Sequence, residues 1–183
     1  MNDALLLIDL QNDYFDGGAM TLQGTELAAV QAGRALKWFR QAGKPVVHVQ
    51  HLSVRPGATF FLPGTAGADF HPLVGPEADE PVVQKHFPNA FRDTVLLECL
   101  QQRSVTGLVI AGAMTHMCVD ATVRAAFDLG FKVTVLADAC ATRSLLYGDR
   151  AVAAADVHAA FLAALSSVYA RVVPTAEWLD GCV

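Results

Sequence analysis

The segment Leu108-Val109-Ile110-Ala111-Gly112-Ala113-Met114-Thr115-His116-Met117-Cys118 runs from a short apolar stretch into a helix, read over His116 to Leu129 and closed by Gly130. A buried strand feeding a helix is the repeating unit of an α/β fold, and the alternation continues in both directions. Upstream, Leu5-Leu6-Leu7-Ile8 reads as a buried strand that stops at Asp9. Glu26 to Gln41 shows helical spacing at Leu27, Val30, Leu36 and Phe39, with Gly43 as its C-cap, and Pro45 to Val49 is a second strand. Residues 52–81 carry many Pro and Gly and little periodicity, which predicts a long loop of the kind that binds or covers a ligand. Val82-Val83-Gln84-Lys85 reads as a short strand and Thr94 to Arg103 as a helix. Downstream come a strand over Lys132 to Ala137, an Ala-rich helix over about Leu146 to Ser166, and a last strand at Arg171-Val172-Val173. Continuous apolar strands are covered on both faces, so the pattern predicts a Rossmann-like, doubly wound sheet of about six mostly parallel strands. One domain over residues 1–183 is expected.

Composition narrows the function. Of the 183 residues, 53% are hydrophobic and 17% charged, enough apolar surface for a large core and some left for a partner subunit. The net charge is −5 and no basic run is present, which argues against nucleic-acid binding. The start, Met1-Asn2-Asp3-Ala4, lacks the basic region of a signal peptide. The most apolar stretch, Ala151 to Leu165, is too short to span a bilayer and contains Asp156 and His158. Cysteines at 99, 118, 140 and 182 have no CxxC spacing, so a cytoplasmic location is expected. No Gly-x-Gly-x-x-Gly follows any strand, so no dinucleotide and no other cofactor is expected.

In a doubly wound sheet, ligands bind beyond the carboxyl ends of the strands. That rule selects Asp9, Gln11, Asp13, Gln50, His51, Lys85, His86, the 112–118 segment and Asp138. Cys118 stands out among them. At a helix start, unpaired N–H groups and the positive dipole end favour a thiolate and offer donors to an oxyanion. A small buried cysteine remains the alternative, as for Cys99, Cys140 and Cys182. Asp9 reads equally well as a structural acceptor, and Lys85 as a solvated lysine.

The pattern Leu7-Ile8-Asp9-Leu10-Gln11-Asn12-Asp13-Tyr14-Phe15, a lysine after the third strand, and Gly112 to Thr122 jointly resemble the isochorismatase-like cysteine hydrolases, over about Ala4 to Val173. The resemblance implies a triad. Cys118 would attack a carbonyl carbon of an amide-like C–N bond, Asp9 would carry the proton to the departing nitrogen, and Lys85 would give electrostatic support. It also implies a cis peptide at Ala113-Met114, with the N–H groups of Met114 and Cys118 as oxyanion hole, and a homo-oligomer.

Nicotinamidases of that family bind a metal through an Asp and His residues after the second strand, where this chain has His51 and Ser53. His48 and His51 point to opposite faces of a strand, so no metal is expected. Vinyl-ether-cleaving members typically lack the cysteine. Val49-Gln50-His51, Phe60 to Thr65 and Lys85 to Phe91 resemble the branch containing streptothricin hydrolase, which opens a cyclic amide. An amide, lactam or ureide of a small molecule is the substrate so implied. Phe15, Phe61 and Phe91 are the expected pocket walls, with Gln11 and His116 as polar contacts. A metal-dependent nicotinamidase, a vinyl-ether hydrolase, a redox-active thiol protein and a silent scaffold are the alternatives.

Overall fold

The computed structural model describes residues 2–182. Its main sheet has six strands: β1 (Asp3–Ile8), β2 (Val46–His51), β3 (Val82–Lys85), β4 (Gly107–Ala113), β5 (Lys132–Ala141) and β8 (Arg171–Val173). They lie in the order β3-β2-β1-β4-β5-β8, and every neighbouring pair is parallel. Strand order reverses between β1 and β4, so the crevice for a ligand opens above those two strands.

Alternation along β1 explains the two layers. Leu5 and Leu7 pack into one apolar cluster with α1 (Thr25–Gln41) and α5 (Thr175–Asp180). Ala4, Leu6 and Ile8 pack into the other with α2 (Leu96–Gln102), α3 (Asp120–Asp128) and α4 (Ala154–Val168). A strand buried on both faces needs no polar alternation, and the run 4–8 has none. At the crevice itself β4 presses on β1. A Cβ on Gly112, whose φ is +140°, would stand 2.1 Å from the Ile8 carbonyl oxygen, so only glycine fits.

Three expectations are corrected here. The helix expected from Leu146 begins only at Ala154. Before it, β6 (Leu145–Tyr147) and β7 (Arg150–Val152) form an antiparallel hairpin around Gly148-Asp149, with Gly148 at φ +60°. The fifth strand runs four residues further than expected, to Ala141, so Asp138 lies within it rather than after it. Its Oδ1 accepts hydrogen bonds from the N–H and hydroxyl of Thr175, both at 2.7 Å, and thereby anchors α5. Cys118 lies in a π-helical turn, Thr115–Val119, that precedes α3.

Residues 52–81 are irregular apart from two short 3-10 turns, Ala66–Ala68 and Pro72–Val74. Phe61 and Val74 sink into the core from this loop, and polar side chains fasten it over the strand ends. Asp13 accepts from the Phe61 N–H at 2.6 Å and from the Ala19 N–H at 3.1 Å. Gln11 donates to the carbonyls of Ala68 (2.7 Å) and His51 (2.9 Å) and accepts from the His51 N–H (2.7 Å). At the far end of the loop, Arg40 forks onto Glu80 at 2.8 and 2.7 Å, and buried His48 meets the same carboxylate at 2.8 Å. Burial alone would raise the Glu80 carboxyl, but Arg40, the Glu77 N–H and His48 outweigh it and hold it at about 2. No helix among the described residues is long and apolar enough to cross a membrane.

Candidate active site

Four adjacent strands each deliver one polar side chain to the crevice. Lys85 is the last residue of β3, His51 the last of β2 and its register partner, Asp9 follows β1, and Cys118 follows β4. Asp9 adopts a φ of +53°, a left-handed conformation that aspartate tolerates better than most residues. The Ala113–Met114 peptide leading to the nucleophile turn is cis, as the resemblance implied.

Lys85 Nζ is the hub. It stands 2.7 Å from Asp9 Oδ2, 2.9 Å from His51 Nδ1 and 3.2 Å from Cys118 Sγ, and its side chain is fully buried. An ammonium has three protons, and three acceptors surround this one. The approach to Asp9 is an ion pair off the best hydrogen-bonding angle, and both Asp9 oxygens are buried without an aligned donor.

Electrostatics follow from that burial. Burial raises the Asp9 carboxyl above its ordinary value, with Lys85 pulling the other way. For Lys85, burial disfavours the ammonium, but Asp9 and then Cys118 outweigh it and the group stays charged. Burial, then the Asp9 carboxylate, push the Cys118 thiol well above its ordinary value despite Lys85. Burial and the Asp9 carboxylate thus work against the thiolate that the helix start favours, while Lys85 works for it. Burial and then the charge of Lys85 bring the His51 imidazole down to about 3, so it is neutral.

Above Cys118 lies a cleft of about 380 Å³. Its lining is mostly apolar: Tyr14, Val54, Phe60, Phe87, Pro88, Met114 and Met117, with polar groups from His51, Ser53, Arg55 and His86. A site of this shape and size suits a small organic molecule.

An isochorismatase-domain family model matches residues 3–177. The chain belongs to the isochorismatase family. This isochorismatase-family hydrolase is 48% identical over 179 residues to YddQ, an uncharacterized isochorismatase family protein of Bacillus subtilis (strain 168), covering 98% of this chain and 99% of that one. The crystal structure of a proposed isochorismatase hydrolase from Oleispira antarctica shares 51% identity with it at a TM-score of 0.95, covering 98% and 96% of the two chains. Streptothricin hydrolase of Streptomyces noursei is 35% identical over 178 residues, which cover 97% of this chain and 59% of that protein.

In this isochorismatase-family hydrolase, Asp9, Lys85 and Cys118 converge, and Met114 and Cys118 both line the cleft. The other expected contacts lie outside its lining. Phe15 is buried against His71, with ring centroids 3.8 Å apart. Phe61 is fully buried behind Phe60 and Tyr14, which are the walls instead. Phe91 packs on Phe131, Gln11 spends its amide on the loop, and His116 bonds the Thr142 hydroxyl. The aromatic walls are Tyr14, Phe60 and Phe87, which lie one, one and four residues from the expected Phe15, Phe61 and Phe91. Their only sequence signal was to be aromatic in the right segments.

Among the described residues, Asp9, His51 and Cys118 are the group whose donor atoms approach closely enough, within 4.8 Å, to suggest a metal. Those same atoms already surround the Lys85 ammonium, so a divalent cation there would meet a positive charge. His71 and His86 do not complete a site. The former caps a turn through Nδ1, and the latter bonds the Leu52 carbonyl. The residues present do not fit the metal of the nicotinamidase pattern.

Proposed function

We propose that this protein hydrolyses an amide-like C–N bond of a small molecule (an amide, lactam or ureide) through a thioester on Cys118. The observation that carries the reading is the Lys85 ammonium bridging Asp9 at 2.7 Å and Cys118 at 3.2 Å on the floor of an apolar cleft. Asp9, with both oxygens free of aligned donors, takes the thiol proton as Sγ bonds to the carbonyl carbon. The N–H groups of Met114 and Cys118 hold the oxyanion. When the C–N bond breaks, Asp9 returns that proton to the departing nitrogen. Water then attacks the thioester, giving its proton to Asp9, and the acid leaves as the thiol is restored. Throughout, Lys85 keeps its charge and offsets the negative charge passing between Asp9 and sulfur. The likeness to streptothricin hydrolase supports a C–N substrate.

The test is incubation with a panel of amides, lactams and ureides. Ammonia or amine should be released, and acid quenching should trap the acyl mass on the peptide carrying Cys118. Release of product with the acyl group on no cysteine overturns the thioester step.

We also propose a homo-oligomer. The hairpin of β6 and β7 holds Leu146 and Tyr147 at 72% and 86% exposure, and an isolated two-stranded hairpin is marginal in water. Light scattering in solution should report a mass of two or more chains; a single-chain particle at micromolar concentration overturns it.

A further inference from the structure

Nothing in the proposed proton transfers uses His51, yet its ring is held at the cleft by Lys85 and its backbone by Gln11. Its Cα is the register partner of Lys85 across β2 and β3, which sets the two side chains on the same side of the sheet. Its backbone N–H and carbonyl are both clamped by the Gln11 amide, at 2.7 and 2.9 Å. Its ring lies on one side of Phe61, with centroids 6.0 Å apart, and the Tyr14 ring lies 4.5 Å from the same phenyl.

The tautomer follows from counting protons. Lys85 keeps its charge because Asp9 and Cys118 surround it, so Nζ is a donor to every neighbour. His51 Nδ1, 2.9 Å away, is therefore the acceptor and carries no proton. A neutral imidazole without a proton on Nδ1 carries it on Nε2. That Nε2–H makes no hydrogen bond to a described residue, and the atom is not sealed from solvent. His51 lines the cleft. Burial, then the charges of Lys85 and Arg55, keep the ring neutral. The Asp9 carboxylate also lies close, within 4.8 Å of the ring nitrogen, and is paired with the Lys85 ammonium.

We infer that His51 is a fixed, neutral hydrogen-bond donor that recognises an uncharged acceptor on the substrate, placing the substrate among amides that carry a second carbonyl or a ring nitrogen near the scissile bond. This deepens the proposed hydrolysis and rests on it for the identity of the cleft as the substrate site. A neutral imidazole N–H is too weak an acid to protonate a leaving group at neutral pH, so the role is one of positioning and specificity. A site built to donate a hydrogen bond discriminates against analogues without the acceptor, because its donor is then left unpaired. It discriminates equally against a cationic group at the same place.

The test uses two matched probe pairs that differ by one neutral acceptor: nicotinamide with benzamide, and glutarimide with 2-piperidone. Binding is measured by calorimetry on the Cys118→Ala protein, so no turnover is needed. In at least one pair the acceptor-bearing probe should bind about tenfold tighter. His51→Leu should level that pair, while His51→Gln, which can still accept from Lys85 and donate to the cleft, should keep most of the preference. Nitrogen-15 NMR of the unsubstituted protein should show His51 protonated on Nε2 only, with no titration between about pH 5 and 8, and the Nε2–H signal should shift when the preferred probe is added.

Equal binding within both pairs, or a preference that survives His51→Leu, overturns the inference. So does a proton on Nδ1. Should His51→Leu fail to fold, an Nε2–H signal unmoved by either acceptor-bearing probe overturns it just as well. A failure to find any hydrolysed amide would count against the proposed reaction and leave these outcomes readable.

Discussion

Cys118→Ala is expected to lower turnover of any amide the protein hydrolyses by about 10³- to 10⁶-fold, with thermal stability changed by no more than about 1 kcal/mol. The two expectations have separate physical grounds. Loss of sulfur removes the atom that bonds to the carbonyl carbon, and its two charged neighbours cannot replace it: Asp9 is fully buried, and Lys85 is held as an ammonium by its neighbours. Stability should change little because the substitution deletes a single sulfur atom from a residue that, although part of the apolar cluster, also lines the cleft. Water entering from the cleft can accept the hydrogen bond that Lys85 then has free. Cys99→Ala is the matching control, since Cys99 lies on α2 next to Arg103 and away from the cleft lining, and it should leave turnover unchanged. Steady-state rates together with a thermal melt decide the point. A Cys118→Ala protein that keeps even a tenth of the rate removes the thioester mechanism.

Much of this site is legible in the sequence because the strands are apolar runs broken by a charge. Asp9 ends Leu5 to Ile8 and Lys85 ends Val82 to Gln84, and in a doubly wound sheet such residues stand at the binding edge. Cys118 is legible through its place after the fourth strand and through the motif that surrounds it. What joins these residues is not local. The contact between His51 and Lys85 depends on the parallel register of β2 with β3, and no spacing along the chain encodes which residue of one strand lies beside which residue of another. The cleft walls depend on the path of the 52–81 loop. There Asp13 holds the Phe61 N–H and turns that ring inward, so the neighbouring Phe60 is left facing the cleft. Tyr14 and Phe15 trade places for the same reason, being adjacent and oppositely directed. The hairpin at Gly148-Asp149 did carry a local turn signal, but the Ala-rich run after it has helical spacing throughout and drew the helix boundary upstream.

Lys85→Met is expected to be the most damaging single substitution in the site, lowering stability by about 3–5 kcal/mol and abolishing hydrolysis. Methionine nearly preserves the volume of the stem, so the loss is electrostatic. With the ammonium gone, Asp9 is a fully buried carboxylate whose oxygens have no aligned donor. Burial already raises its pKa, and Lys85 is the group that works against that rise, so the substitution must raise it further. The sign of the pH dependence follows. A carboxyl whose folded pKa lies above its unfolded value contributes stability that is present below the unfolded pKa, near about 3.9, and lost as pH rises through the folded one. Chemical denaturation of Lys85→Met should therefore show a protein markedly weaker at pH 7 than at pH 4, measured against the unsubstituted chain at each pH. Adding Asp9→Asn to Lys85→Met removes the buried charge and should restore most of the lost stability without restoring activity. Coupling of that kind between two residues in contact is what a double-mutant cycle measures. If Lys85→Met is as stable at pH 7 as the parent, or if the double variant is no more stable than the single, Lys85 is not the counter-charge that allows Asp9 to be buried beside the cysteine.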